Sequence, residues 1–256
     1  MPLAAAARAA ARVGRMAALA AEAGARGALA GRGGAEAEVR RARARLLRDV
    51  FRRALALHGI AAIHEGPLPD GPAVLVSNHL SYLDPIALGA LVPCVPISKA
   101  ELSRWPVFGP VARRLGVLFV DRGDRLSGVR VMRAAERALE QGIPVLNFPE
   151  GTTTTGANGV LAFRRGLFGL ARRARVPVVP VALRYEPGSL AWVGDATFAP
   201  HYLRLAALER STVHVRFGAP VPSLAHPGAA ELAEAVRARI ASLLEPSPDR
   251  AATGSA

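Results

Sequence analysis

From residue 60 onward, short apolar runs alternate with longer segments whose apolar residues have helical spacing. This alternation predicts a single α/β domain with a mixed, largely parallel sheet flanked by helices. The predicted strands span 60–65, 73–77, 94–98, 117–120, 143–147, 177–185 and 212–217. The predicted helices span 85–92, 106–115, 126–141, 165–174 and 229–244.

The segment before this domain is rich in alanine and arginine. Residues 1–38 have low complexity and several glycines, so we expect a flexible basic extension or a loose surface helix. Residues 39–58 carry an apolar stripe at helical spacing, with arginines on the opposite face. This pattern predicts a first helix packed on a domain spanning 39–245, and it is also typical of a helix in a lipid interface. The Pro-, Ala- and Ser-rich tail, 246–256, is expected to be disordered.

The charge of the chain is strongly positive. The formal net charge is +13, and of the 33 basic residues only Lys99 is a lysine, so the charge partly reflects a bias toward arginine. Residues 1–57 contain 12 arginines and four acidic residues, which gives them a net charge of +8. A basic segment of this kind suits an anionic membrane surface or nucleic acid.

Several classes of protein are disfavoured by missing patterns. The sequence lacks G-x-S-x-G, G-x-x-x-x-G-K-[ST], G-x-G-x-x-G and H-E-x-x-H, the marks of many serine hydrolases, nucleotide-binding proteins and zinc proteases. The lone cysteine, Cys94, cannot pair within the chain and fits a reducing compartment. No apolar run approaches the 18–20 residues of a membrane-spanning helix. We expect no metal site and a peripheral location on the cytoplasmic face of the inner membrane.

The segment SNHLSYLDP, residues 77–85, contains a candidate catalytic pair. His79 comes just after a predicted strand, where ligand sites lie in open α/β sheets. Asp84 can accept a hydrogen bond from one ring nitrogen and leave the other free to take a proton from a hydroxyl. Asp84 followed by Pro85 is equally typical of an N-cap at the start of a helix. Taken alone, this segment leaves both interpretations open.

A second unusual segment, VLNFPEGTTTTG, spans residues 145–156. It runs from a predicted strand into Pro149, which restricts the backbone, and Gly151, which permits unusual angles or the close approach of a ligand. The hydroxyl and N–H groups of 152–155 can hold an oxyanion. An ordinary turn after a strand has the same composition, so this segment alone is also ambiguous.

Together, NH-x4-D and FPEGT resemble the signature of the glycerolipid acyltransferases, and more closely the bacterial 1-acylglycerol-3-phosphate O-acyltransferase (lysophosphatidic acid acyltransferase) family. Further blocks agree in sequence order and extend the resemblance over roughly residues 58–245. They are ISKAELSRWPVFGP at 97–110, LGVLFVDR at 115–122, FRRGLFGLARRARVPVVPVALRY at 163–185, WVGD at 192–195 and VHVRFGAPV at 213–221.

The resemblance implies transfer of a fatty acyl group from a thioester, on coenzyme A or acyl carrier protein, to a lysophospholipid hydroxyl. It implies that His79 is the general base, that Asp84 orients it, and that neither a cofactor nor a covalent acyl-enzyme is needed. Membrane lipids and the acyl donor are then the partners, and nucleic acid is not expected. The residues implied to bind substrate are Asn78, Lys99, Arg122, Phe148, Pro149, Glu150, Gly151 and Thr152.

One position departs from the family pattern. The commonest motif continues FPEGTR, but Thr153 stands where that arginine is expected. Either Arg164 or Arg165 replaces the missing charge, or the acceptor is not the simple phosphate monoester of 1-acylglycerol-3-phosphate. Lyso-ornithine lipid is then an alternative acceptor. Two other hypotheses are a hydrolase that uses the same pair on water, and a non-catalytic basic protein that binds membranes.

Overall fold

A computed structural model describes residues 3–31, 33–121, 123–157, 159–194 and 196–245. Its seven-stranded sheet confirms every predicted strand and the largely parallel α/β class. The strands are β1 (Ile60–Glu65), β2 (Val74–Ser77), β3 (Val95–Lys99), β4 (Leu118–Val120), β5 (Val145–Asn147), β6 (Val178–Glu186) and β7 (Ser211–Phe217). Their order is β1-β7-β6-β2-β5-β3-β4, and of these neighbours only β6 and β7 are antiparallel.

Helices cover both faces of the sheet. They are α1 (Leu3–Leu29), α2 (Glu36–His58), α3 (Asp84–Leu91), α4 (Phe108–Arg114), α5 (Arg125–Glu140), α6 (Gly166–Ala174), α7 (Phe198–Ala207) and α8 (Ala229–Leu244), with 3-10 turns at Ala100–Arg104 and Gly188–Leu190. One apolar core contains side chains of α1, α2, α3, α4 and α7, and the other those of α5, α6 and α8. The central strand β2 is buried on both faces, as a near-continuous apolar run in a parallel sheet requires.

Helix α2 packs on the domain through its apolar stripe. Leu46, Leu47 and Val50 are buried in the core, so this face of α2 cannot contact lipid. The hypothesis that the apolar stripe lies in a lipid interface is therefore wrong. The helix also packs against α3, where Gly89 makes room for the ring of Phe51. A Cβ at Gly89 would lie 2.6 Å from that ring. Helix α2 therefore supports the helix whose first residue is Asp84.

Residues 3–29 form a helix, which is one of the two structures expected for this segment, but the helix is not loose on the surface. They form α1, which packs against α2, α4 and α7. Small residues make this contact possible: a Cβ at Gly27 would lie 3.1 Å from Leu115. The buried residues of α1 are mostly small, Ala9, Ala23, Gly24 and Gly27, with Leu19 as the one large side chain, so the sequence did not reveal that the helix packs closely. The predicted disordered tail, 246–256, lies outside the described residues.

Arg12 fastens α1 to the end of α7. Its guanidinium donates to the carbonyl oxygens of Ala206 and Glu209, each at 3.2 Å, and to that of Leu208. We expect Arg12→Ala to lower the free energy of unfolding by about 1–2 kcal/mol, because these hydrogen bonds are charge-assisted and partly shielded from water. Arg15→Ala is the matched control, since Arg15 lies exposed on the same helix. Urea midpoints measure the difference, and equal midpoints for the two variants would contradict this role.

None of the helices in the described part of the chain combines the length and the apolarity needed to cross a bilayer.

Candidate active site

The two sequence motifs meet at one edge of the sheet. Strands β2 and β5 are parallel neighbours, with Val76 beside Asn147. His79 lies two residues beyond the end of β2, and Glu150 lies three residues beyond the end of β5. Their carboxyl ends form the edge at which ligands bind in open α/β sheets.

His79 and Asp84 form a hydrogen-bonded pair. The imidazole Nδ1 lies 2.7 Å from Oδ2 of Asp84, whose side chain is completely buried. The same oxygen accepts hydrogen bonds from the backbone N–H of Leu80 at 2.6 Å and of Ser81 at 2.9 Å. The carboxylate is therefore fixed by the loop that carries the histidine. Because Nδ1 donates to this carboxylate, the neutral ring presents Nε2 as a proton acceptor.

The start of α3 settles the alternative interpretation of Asp84. The N-cap is Leu83, whose side chain makes no capping bond, and Asp84 is the first residue of the helix, followed by Pro85. The prediction of an Asp84 cap is wrong by one residue, because the carboxylate turns back to the preceding N–H groups and to His79. A carboxylate in the first turn is also favoured by the helix dipole.

A tyrosine that the sequence did not single out completes this arrangement. The hydroxyl of Tyr185, near the end of β6, donates to Oδ1 of Asp84 at 2.6 Å. Burial, together with the nearby charge of Asp84, raises the pKa of Tyr185 well above its usual value, so the hydroxyl stays protonated. Tyr185 lies 101 residues from Asp84 in the chain. No local pattern marks it; only the pairing of β6 with β2 brings the two together.

The ring of His79 is held on one face by Phe148. The two rings are stacked, with 4.4 Å between centroids and 21° between planes. The His79 side chain is 19% exposed. Among the residues that the structure describes, none hydrogen-bonds its Nε2. The imidazole thus has a fixed orientation and one nitrogen open to a substrate.

Glu150 ties the two motif loops together. One carboxylate oxygen accepts the backbone N–H of His79 at 2.8 Å, and the other accepts that of Leu161 at 3.2 Å. Burial raises the pKa of Glu150, and the two backbone hydrogen bonds oppose that rise. Both oxygens hold the backbone, so the side chain braces the loop of His79.

Asn78 likewise holds the backbone. Its amide pairs with Leu183 on β6, donating to the carbonyl at 3.0 Å and accepting from the N–H at 2.8 Å. This pairing continues the contact between β2 and β6 beyond the last ladder residue, Ser77. The side chain is buried and fixes where the loop of His79 begins.

The other predicted substrate-binding residues are distributed around the same edge. Lys99 ends β3 and is exposed, Pro149 is buried, and Thr152 is exposed. Gly151 has φ 79°, in the left-handed region that glycine adopts without strain. Arg122 lies outside the described residues.

Comparison with known proteins identifies the family. A family model described as Acyltransferase matches residues 55–184. The chain belongs to the acyltransferase family. A lyso-ornithine lipid O-acyltransferase of Pseudomonas aeruginosa is 38% identical over 192 residues, covering 73% of this chain and 74% of that protein. A 1-acyl-sn-glycerol-3-phosphate acyltransferase of Neisseria gonorrhoeae is 32% identical over 180 residues, covering 64% and 69%.

A solved structure shows the same fold. The 1-acyl-sn-glycerophosphate (LPA) acyltransferase of Thermotoga maritima superposes with a TM-score of 0.64 at 21% identity, covering 85% of this chain and 87% of that one. The family resemblance predicted from the two motifs is therefore confirmed. The chain is an enzyme that transfers acyl groups.

Acyl transfer can use a covalent intermediate on a cysteine, which requires a thiolate. Cys94 is fully buried, and burial raises the pKa of its thiol to about 12, so it stays a thiol. Its side chain packs in the core beneath the sheet. Across the described ranges, no group of three or more His, Cys, Asp and Glu residues is placed to hold a metal ion.

Proposed function

We propose that this acyltransferase moves a fatty acyl group from the thioester of coenzyme A or acyl carrier protein to the hydroxyl of a lysolipid. One observation carries the proposal. His79 is held at Nδ1 by the buried carboxylate of Asp84, at 2.7 Å, while its Nε2 has no hydrogen-bond partner among the described residues and the side chain is 19% exposed. This is the arrangement of a general base that must take one proton from a hydroxyl.

The reaction then needs nucleophilic attack by the acceptor hydroxyl and departure of the thiolate. Nε2 of His79 takes the proton of the acceptor hydroxyl as its oxygen attacks the thioester carbonyl. The carbon–sulfur bond breaks, and the leaving thiolate receives the proton from the imidazolium. Asp84 stabilises that imidazolium while it exists. The new ester and the free thiol leave, with no acyl group held on the protein.

Two acceptors are candidates for this reaction. The family resemblance of the sequence favours 1-acylglycerol-3-phosphate, which would give phosphatidic acid, and the relative from Neisseria gonorrhoeae supports it. Thr153 in place of the usual arginine favours lyso-ornithine lipid. Relatives bearing that activity in their names, from Pseudomonas aeruginosa and Brucella abortus at 38% and 34% identity, support this second candidate.

The experiment is an acceptor panel with one acyl-coenzyme A, read by mass spectrometry of the products. Transfer to 1-acylglycerol-3-phosphate or to lyso-ornithine lipid identifies the acceptor. Thiol release that is equally fast without any acceptor would instead indicate a hydrolase. A protein that binds lipid vesicles but releases no thiol with any acceptor would contradict the proposal and favour a non-catalytic membrane-binding protein.

Acting on lipids with long acyl chains, the enzyme would sit peripherally on a membrane surface, at its cytoplasmic face. The segment between β3 and α4 supports such a contact. Val107 and Phe108 are 57% and 38% exposed, and Arg104 beside them is exposed as well. Val107 has φ 64°, which β-branched residues rarely adopt and which is typical of functional segments. Apolar side chains beside a cation suit an anionic bilayer interface.

An aromatic cluster joins this segment to the loop of His79. Trp105 packs on Phe198 of α7 with 4.4 Å between ring centroids, and Phe198 packs on Tyr82 at 5.1 Å. Tyr82 lies in the loop between His79 and Asp84. Tryptophan and tyrosine are the aromatic residues enriched where a protein meets a bilayer surface. The exposed segment therefore lies on the catalytic side of the molecule.

We expect Val107→Asp combined with Phe108→Asp to weaken binding to anionic vesicles by about 10-fold or more, because two apolar side chains lose their burial in lipid. Leu224→Asp is the matched control: Leu224 is also 57% exposed, and it follows β7, whose carboxyl end lies at the opposite edge of the sheet. Vesicle sedimentation measures the difference. Equal loss of binding in the control would mean that this segment has no special role.

A further inference from the structure

Arg164 lies directly against the FPEG turn. A Cβ built at Gly151 would lie 2.8 Å from Nε of Arg164, 3.3 Å from Cζ and 3.4 Å from Nη2. These distances show that the plane of the guanidinium covers the side of Gly151 where other residues carry a side chain. Glycine at this position therefore does more than permit φ 79°: it leaves the space that the arginine occupies.

Two hydrogen bonds donated by backbone N–H groups fix the segment that carries Arg164. Its own N–H donates to the carbonyl of Pro149 at 3.0 Å. Three residues earlier, the N–H of Leu161 donates to the carboxylate of Glu150 at 3.2 Å. The other oxygen of that carboxylate holds the N–H of His79. One buried carboxylate therefore connects the backbone of the general base to the backbone of the segment that carries Arg164.

The charge of Arg164 is not neutralised within the described ranges of the chain. Several other arginines are paired with carboxylates, for example Arg173 with Glu136 at 2.6 Å. No ion pair or hydrogen bond joins the guanidinium of Arg164 to any residue that the structure describes, and its side chain is exposed to solvent. A guanidinium is a planar fork of donors that matches the oxygens of a phosphate or carboxylate.

We infer that Arg164 binds the anionic head group of the acceptor lipid. The inference rests on the proposed function and deepens it. The guanidinium supplies the positive charge that the FPEGTR motif places after its threonine, where this chain has Thr153. Of the two arginines that the sequence offers as replacements, Arg164 and Arg165, it is Arg164 whose guanidinium lies against Gly151 of the motif. The ligand chemistry is an oxyanion, either a phosphate monoester or the carboxylate of an amino-acid head group.

The test compares Arg164→Ala and Arg164→Lys with Arg165→Ala in the 256-residue chain. Arg165 is the matched control, because it is the next residue, has the same charge and is also exposed. Each variant is assayed with 1-acylglycerol-3-phosphate, with lyso-ornithine lipid and with neutral monoacylglycerol as acceptor. We expect Arg164→Ala to raise KM for the anionic acceptor about 10-fold or more, with kcat little changed. Arg164→Lys is expected to raise this KM by a smaller factor, and Arg165→Ala is expected to raise it by less than twofold.

The acceptors distinguish the two sources of the oxyanion. A rise in KM confined to 1-acylglycerol-3-phosphate identifies a phosphate site, and a rise confined to lyso-ornithine lipid identifies a carboxylate site. KM for monoacylglycerol and for acyl-coenzyme A should not change. An equal rise with monoacylglycerol would overturn the inference, because the effect would then not depend on the negative charge of the head group.

A binding measurement separates this inference from the proposed function. Short-chain 1-butyrylglycerol-3-phosphate and short-chain lyso-ornithine lipid are titrated into each variant by calorimetry, which needs no turnover. Weaker binding of either ligand to Arg164→Ala than to Arg165→Ala supports the inference even if the wild-type protein proves to be a hydrolase. Equal binding of both ligands to the two variants overturns it, whatever the acyl-transfer rates are.

Discussion

His79→Ala is expected to lower kcat for acyl transfer by about 10³-fold while the protein stays folded, since a positioned general base contributes about 10²–10⁴-fold. The imidazole is oriented by Asp84 on one nitrogen and by Phe148 on one face, and its Nε2 has no hydrogen-bond partner among the described residues. No other described residue offers a proton acceptor oriented in this way at the carboxyl ends of β2 and β5. In the His79→Ala variant, the attacking hydroxyl would therefore have to lose its proton to water.

The measurement is release of the thiol from acyl-coenzyme A in the presence of the acceptor, together with the thermal midpoint of each variant. His64→Ala is the control, because His64 is an exposed histidine on β1 at the edge of the sheet. The control should retain the wild-type rate. Acyl transfer by His79→Ala at more than a tenth of the wild-type kcat would show that His79 is not the base.

The contact between His79 and Asp84 was predictable because it is local. His79 and Asp84 are five residues apart in one loop, so strand, loop and helix start place them together whatever the rest of the fold does. Tyr185 shows the limit of that reasoning. Its hydroxyl reaches Asp84 only because β6 pairs with β2, and nothing in the sequence around Tyr185 distinguishes it from a core tyrosine.

The motif residues show a second limit. The sequence identified Asn78 and Glu150 as belonging to the site, and the resemblance implied that both contact substrate. In the structure their side chains are buried and bonded to the backbone of Leu183, His79 and Leu161. A motif gives the identity of a residue, but the direction of its side chain depends on which backbone N–H groups the folded loops leave unpaired.

The sequence predicted neither the close packing of α1 nor helix α7, for related physical reasons. Helix α1 packs mainly through alanine and glycine, which do not mark a contact face as the large apolar residues of α2 do. Helix α7 is short and begins within an aromatic cluster, where Phe198 stacks on Tyr202 at 5.5 Å. Tertiary contacts of this kind stabilise helices that sequence periodicity alone does not reveal.

Asp84→Asn tests the other half of the pair, and its expected effect is a loss of about 10²–10⁴-fold in kcat with the fold retained. Oδ2 of Asp84 accepts hydrogen bonds from His79, Leu80 and Ser81, and Oδ1 accepts one from Tyr185. An asparagine can keep its oxygen on the first three groups and turn its NH₂ toward the tyrosine. The Tyr185 hydroxyl can then accept from that NH₂, so its oxygen keeps a hydrogen-bond partner in the variant.

Asp84→Asn removes the negative charge of the side chain and keeps its hydrogen bonds to the loop. The variant therefore separates the effect of the charge from the effect of the loop structure. The imidazolium that forms when His79 takes the proton would no longer face a carboxylate, and its formation would cost more. Tyr185→Phe is the companion variant: it keeps the charge and the His79 contact but removes one donor, so we expect a loss of only about 10-fold in kcat. Comparable losses in the two variants, or wild-type kcat in Asp84→Asn, would mean that Asp84 acts only by shaping the loop.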